Sequence, residues 1–255
     1  MNTRALLDGH EFDLAALARR FSEGDPRIIV ADGGTFLEAS ALGSADFTDG
    51  GQLVEIASGI LARLNGWATL DDPSYRPVKL GYRFHRDHPQ GGGSDAHLMA
   101  GDQARLRDDL TVVVVGTAEA RMSAFPVMTV GGATSSQPAT PDGYRQLKRA
   151  TDHPDVDDLL LLLGRAEHIG WDQLWKAMEI IKVACGGKAA LLATGWVTSD
   201  DLDEFGYAAN HPDASGTDAR HARRPPATPP GRVMSLAEGQ QFVRDLSRRW
   251  VDSLP

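Results

Sequence analysis

Cysteine is nearly absent from this chain: Cys185 stands alone among 255 residues. One thiol forms no internal disulfide, and without a Cys-x-x-Cys pair a zinc site of the usual thiolate kind is excluded. Cys185 follows Met178 and Ile181 and precedes Gly186-Gly187, which reads as a half-buried thiol at a helix end. Long apolar runs are missing too. The longest, Leu159 to Leu163 and Val112 to Val115, fall far short of the roughly 20 residues a membrane-spanning helix requires. The opening residues, Met1 to Asp8, already carry Arg4 and Asp8 and lack the apolar stretch of a secretory signal. The expectation is a soluble, cytoplasmic chain with no membrane partner.

The common catalytic fingerprints are also missing. Gly186-Gly187-Lys188 has no earlier glycine of a phosphate loop and is followed by alanine, so it reads as a helix C-cap. No Gly-x-Ser-x-Gly elbow and no His-Glu-x-x-His helix occurs. No cofactor is expected. His85-Arg86-Asp87-His88 has the spacing closest to a metal set, with His97 or Asp95 as a further ligand, but a solvated hairpin tip explains the same residues. No resident metal is therefore expected, and a metal or small-ligand sensor using His85, Asp87 and His88 is the weakest functional reading.

What is present is an ordinary globular composition, 42% hydrophobic and 24% charged, which argues against disorder of the whole chain. The formal charge of −9 opposes a surface coated with phosphate-binding groups. It leaves room for a local basic site. From Arg220 to Arg249 seven arginines face only two acids, Glu238 and Asp245.

The periodicities divide the chain in two. Residues 1–130 read as an α+β unit, a mixed or antiparallel sheet with a packed helix. Its strands are Arg27 to Val30, Thr35 to Leu42, Val78 to His85, Leu110 to Thr117 and Val127 to Val130, with a turn at Asp32-Gly33-Gly34. A short helix spans Phe12 to Phe21. The longer helix starts near Asp46 to Asp49, carries Leu53, Ile56, Ala57, Ile60, Leu61 and Leu64 on one face, and is expected to end at Asn65-Gly66. Residues 131–143 have linker composition. Residues 144–255 read as four or five helices, with capping boxes at Thr198 and Ser235. Trp171 and Trp175, at helical spacing, read as core and not as a stacking platform for bases.

The most informative stretch is the loop from Ala208 to Met234. It holds Asn210, His211, Arg220, His221, Arg223, Arg224 and Arg232 between two well-capped helices, and loops this long are usually functional or disordered. Arginine offers a permanent charge and a forked donor for phosphate, and histidine moves protons near neutral pH. An alternative is purely structural, with Asn210 capping a helix and Arg220 paired with Asp218 or Glu204.

The layout from Tyr144 to Trp250, a helix pair, a third helix, an Arg/His-bearing polar turn and a final amphipathic helix, resembles the HEPN superfamily of small helical domains. Many of its members are RNA-cutting toxins or defence proteins. Catalytic members place an arginine before a histidine with four to six positions between them; here Arg220 and His221 are adjacent. The resemblance implies an RNA-directed module, in its enzymatic form a metal-independent endoribonuclease. His221 would then be the general acid or base, with Arg220 stabilising the phosphorane charge and Asn210 orienting the substrate. Arg223, Arg224, Arg232 and His211 would bind RNA. It also implies a homodimer. The competing expectation is a non-enzymatic protein that docks a partner protein through the same loop.

Overall fold

The computed structural model describes residues 2–87, 94–98, 143–225 and 228–255. The architecture is α+β. Strands β1 (Thr3–Asp8), β2 (Arg27–Ala31), β3 (Gly34–Glu38), β4 (Lys79–Asp87) and β5 (Ser94–Leu98) form an antiparallel sheet in the order β2-β3-β1-β4-β5. Helix α1 (Glu11–Arg20) follows β1, and α2 (Ser40–Ser44) and α3 (Gly50–Asp71) lie between β3 and β4. Then come α4 (Gly143–Asp152), α5 (Pro154–Arg165), α6 (Trp171–Ala184), α7 (Lys188–Ala193), α8 (Ser199–Asn210), α9 (Pro212–Ser215) and α10 (Leu236–Ser253). The strands expected at Leu110 to Thr117 and Val127 to Val130, and the linker apart from Gly143, lie outside the described residues.

The central strand, β1, escaped the sequence reading. Its Thr3, Ala5 and Leu7 are buried while Arg4 and Leu6 are half-buried, a period of two too short and too mixed in composition to stand out. The hairpin β2–β3 turns at Asp32-Gly33, where Gly33 has φ +94°, a backbone state that favours glycine. Strand β3 ends at Glu38; Leu42, expected in that strand, belongs to α2.

Helix α3 corrects a second expectation. It starts as read, with the Asp49 carboxylate accepting from the Gln52 amide at 3.0 Å. It does not stop at Asn65-Gly66 but runs on to Asp71. Asn65 faces inward, and its side chain acts as a clamp for the chain that returns to the sheet. Its Nδ2 donates to the Val78 carbonyl at 2.8 Å, and its Oδ1 accepts from the Val78 amide at 3.1 Å and the Tyr75 hydroxyl at 2.5 Å. Burial pushes the Tyr75 phenol well above its ordinary pKa, so it remains a donor. Truncation by Asn65→Ala leaves buried donors and an acceptor unmet. The expected cost is about 2 kcal/mol, read as a lower urea midpoint at unchanged slope.

Gly66 has a different task from capping. It lies where α3 crosses α5, and a Cβ built on it would sit 2.8 Å from the Leu160 Cα. Gly164 of α5 makes the reciprocal approach, toward the Ala62 carbonyl and the Gly66 amide. Two backbones in contact bring Leu61, Leu64 and Trp67 of α3 into one buried cluster with Val156, Leu159, Leu160 and Leu163 of α5. The inner sheet face (Ala5, Leu7, Ile28, Leu37 and Phe84) belongs to the same cluster. The sheet-bearing and helical stretches therefore share a core.

The helical stretch follows its caps. Thr198 and Asp201 form a capping box on α8, and Ser235 with Glu238 forms one on α10. Gly186 and Gly187, at φ +90° and +106°, end α6, with the Gly187 amide returning to the Lys182 carbonyl at 2.8 Å. Cys185 is half-buried at that end, and burial pushes its thiol up. Among the described residues, no helix is long and apolar enough to cross a membrane.

Candidate functional site

The α8–α10 loop owes its position to α8. The His211 ring is 4% exposed and lies nearly parallel to Tyr207, one helical turn earlier, with centroids 4.7 Å apart. Its Nε2 meets the Pro225 carbonyl at 3.0 Å, and its Nδ1 faces the Asp213 carboxylate at 3.3 Å without hydrogen-bond alignment. His211 thus staples the far end of the loop to the helix. Both ring nitrogens face the protein's own groups, and the residue also lines the groove between α6 and α8.

Asn210 is also buried. Its amide donates to the Gly206 carbonyl at 2.9 Å, and its Oδ1 faces Arg220 at a long 3.5 Å. The Arg220 amide returns to the Ala209 carbonyl at 2.9 Å, and its guanidinium carbon lies 5.3 Å from the Trp175 ring centre, a cation–π arrangement. Arg220 therefore uses Trp175 and Asn210, not Asp218 or Glu204 as the structural alternative expected. His221 is half-buried and makes no hydrogen bond among the described residues. Arg223 and Arg224 are exposed. Arg232 stands apart from this cluster, paired with Glu238 at the start of α10.

Of these residues Asn210, His211 and Arg224 line a groove of about 400 Å³ between α6 and α8, together with Trp175, Lys182, Lys188 and Tyr207 among others. Trp175, Met178 and Lys182 lie at i, i+3 and i+7 of α6, so one helical face delivers both ring and cation. Trp171 and Trp175 part company here. Trp171 is core, 3% exposed, whereas Trp175 is half-buried and stacked parallel on Phe205 at 6.2 Å. The sequence reading of Trp175 as core is thereby half right. Lys182, Lys188 and Arg224 line the groove beside Trp175, and Arg220 lies over its ring; Asp203 lines it too and contacts Lys188 at 3.4 Å.

The basic C-terminal stretch does not act as one patch. Arg244 and Arg248 turn inward to Thr69 and Asp71 of α3, and Arg249 donates to the Trp196 carbonyl at 3.0 Å. Only Arg220, Arg223 and Arg224 remain at the loop. The lysines of the groove were missed because they lie outside the loop, and only the i+7 relation of Lys182 to Trp175 hinted at a shared face.

The His85 region is arranged differently from a metal set. His85 packs edge-on to Phe36 with centroids 5.4 Å apart, and its pKa is lowered by burial and then by Arg4 and Arg83. Asp87 is bonded to Arg4 at 3.3 Å, and Asp95 pairs across the ladder with Arg86. Among the described residues no group of three metal-ligating side chains occurs; His88 lies outside them. No family model matches the chain, and neither the curated proteins nor the solved structures contain a significant match.

Proposed function

We propose that this chain is an RNA-directed module that holds a single strand in the α6–α8 groove. One observation carries the reading: on a protein of charge −9, Lys182, Lys188 and Arg224 line one groove with the half-buried rings of Trp175 and Tyr207, and Arg220 lies over Trp175. Cations that follow a phosphate backbone beside aromatic faces on which bases stack are the general chemistry of single-strand binding. The HEPN-like layout agrees with it, and in that superfamily such sites form between two copies, so a homodimer belongs to the proposal. His221, adjacent to Arg220 and free of hydrogen bonds among the described residues, is the group for acid–base chemistry on a bound phosphodiester.

The test is anisotropy of a fluorescein-labelled single-stranded RNA. Binding weakens as salt rises, and Lys182→Glu with Arg224→Glu reduces affinity at least tenfold. Each lost phosphate contact also lowers the slope of log K against log salt by about 0.7. Binding that is absent, salt-insensitive or unchanged in the double variant refutes the proposal. In EDTA, wild-type protein cuts the RNA and His221→Ala does so at least tenfold more slowly; equal rates would remove His221 from the chemistry.

Docking of a partner protein by the same loop is the second reading. It is favoured by the way Trp175 and Asn210 already occupy Arg220. A stoichiometric protein complex together with no RNA binding selects it.

A further inference from the structure

A second groove, larger than that between α6 and α8, lies elsewhere. It measures about 1000 Å³ and runs between the C-terminal half of α3, the 72–78 connection, the 166–170 connection and α10. One wall is apolar, with Leu61, Leu80, Leu163, Leu174, Leu236 and Val243, and the rest of the lining is polar, with Asn65, Tyr75 and Gln240 among it. Charged groups line it as well, Arg165 and Asp218 among them. Lys79 and Glu167 form an exposed bridge at 2.6 Å, and Arg76 is held by the buried Asp13 at 3.3 Å.

Arg244, which lines the same groove, is different. It is 9% exposed and forms no ion pair among the described residues. Its Nε donates to the Thr69 carbonyl at 3.2 Å and its Nη1 to the Gln241 side chain at 2.8 Å; Nη2 has no hydrogen bond among the described residues. Burial first, and the nearby Arg248 second, pull its pKa below the ordinary arginine value, against the weaker attraction of Asp245 and Asp72. Thr69 adds a buried hydroxyl without a hydrogen-bond partner. An arginine remains charged when buried, and a charge removed from water is strongly unfavourable unless an opposite charge meets it. Elsewhere in this protein the rule is obeyed: Arg20, more buried still, is met by Asp71.

We propose that this groove binds an amphiphilic anion, its apolar body along the leucine-lined wall and its carboxylate or phosphate headgroup against the Arg244 guanidinium. The size suits a drug-sized ligand, and a guanidinium fork matches two oxygens of either headgroup. A neutral apolar ligand would leave the arginine charge unmet. A highly charged one would leave the apolar wall of Leu61, Leu80, Leu163, Leu174, Leu236 and Val243 uncovered. The α6–α8 groove has no part in the argument, so this proposal stands or falls independently of the RNA reading.

The experiment uses the full chain and a dansyl-labelled undecanoic acid, below its aggregation concentration, with dansyl fluorescence as the signal. Binding is expected to saturate at one probe per chain. Decanoate and decyl phosphate displace it at concentrations at least tenfold lower than decanol; the better of the two identifies the headgroup. Arg244→Met removes that preference for acid over alcohol, and Leu236→Trp, which fills the groove and leaves Arg244 in place, abolishes uptake of both. Unsaturable uptake, equal displacement by decanol and decanoate, or wild-type affinity in Leu236→Trp overturns the proposal. Should Arg244→Met fail to fold by near-UV circular dichroism, the acid-over-alcohol preference of the wild type and the Leu236→Trp result still decide it.

Discussion

Replacing Gly164 by valine is expected to destabilise the protein by 3 kcal/mol or more, at or above the top of the roughly 1–3 kcal/mol that overpacking costs. Even the first added carbon would lie 2.7 Å from the Gly66 amide nitrogen and closer still to the Ala62 carbonyl oxygen. Those are backbone atoms of a 22-residue helix. They cannot rotate aside as a side chain does, so α3 and α5 must separate along a seam of Leu61, Leu64, Leu160 and Leu163. Interiors packed to crystal-like density have no slack for such a shift. For a chain of this size about 3 kcal/mol lowers Tm by roughly 6–12 °C, measurable by calorimetry or circular dichroism. Gly59→Ala is the contrast within the same helix. Its Cβ would make only an ordinary 3.5 Å contact with Arg63, so better helix propensity predicts a gain of about 0.5–1 kcal/mol. Two glycines of equal composition, opposite signs of effect: an unchanged Tm in Gly164→Val would show that the helix crossing is not tight.

Asp71→Ala is the second substitution with a large expected effect, about 3 kcal/mol. Asp71 ends α3 and accepts from two arginines: Arg20 of α1, whose side chain is 7% exposed, and Arg248 of α10, at 3.1 Å. Arg20 also bonds to Gln146 of α4. One carboxylate therefore ties three helices, α1, α3 and α10, and Arg20 extends the link to α4. Burial and then Arg248 pull the Arg20 pKa down to about 10, so it is still charged at neutral pH and relies on Asp71. Without the carboxylate, two guanidinium groups face each other and one is nearly out of water. Asp71→Glu retains the charge and should recover part of the loss. A urea midpoint unchanged in Asp71→Ala would mean that water or another acid already satisfies the arginines.

Much of this fold is legible from local chemistry. The capping boxes at Thr198 and Ser235, the Asp49 cap, the Gly33 turn and the Gly186-Gly187 stop are each decided within about four residues, and each stands where its pattern placed it. Asn65-Gly66 shows where such reading fails. The same dipeptide that ends helices elsewhere lies inside α3, because the asparagine clamps Val78 and Tyr75 and the glycine admits Leu160. Nothing within four residues of Asn65 reveals either partner.

The candidate site divides the same way. That Arg220, His221, Arg223 and Arg224 share a polar loop is visible in the sequence. That His211 is stacked under Tyr207, that Arg232 serves the α10 cap, and that Trp175 with Lys182 and Lys188 completes the groove is not. By itself the sequence determined the α+β class, the helix ends that carry a cap or a Gly-Gly stop and the residue types available for phosphate chemistry, since backbone capping and amphipathic period act over a turn or two. Tertiary structure decided which arginines face solvent and which are drawn inward to Thr69 and Asp71. That choice depends on partners about 180 residues away, and only packing of α10 against α3 brings those charges and carbonyls within bonding distance.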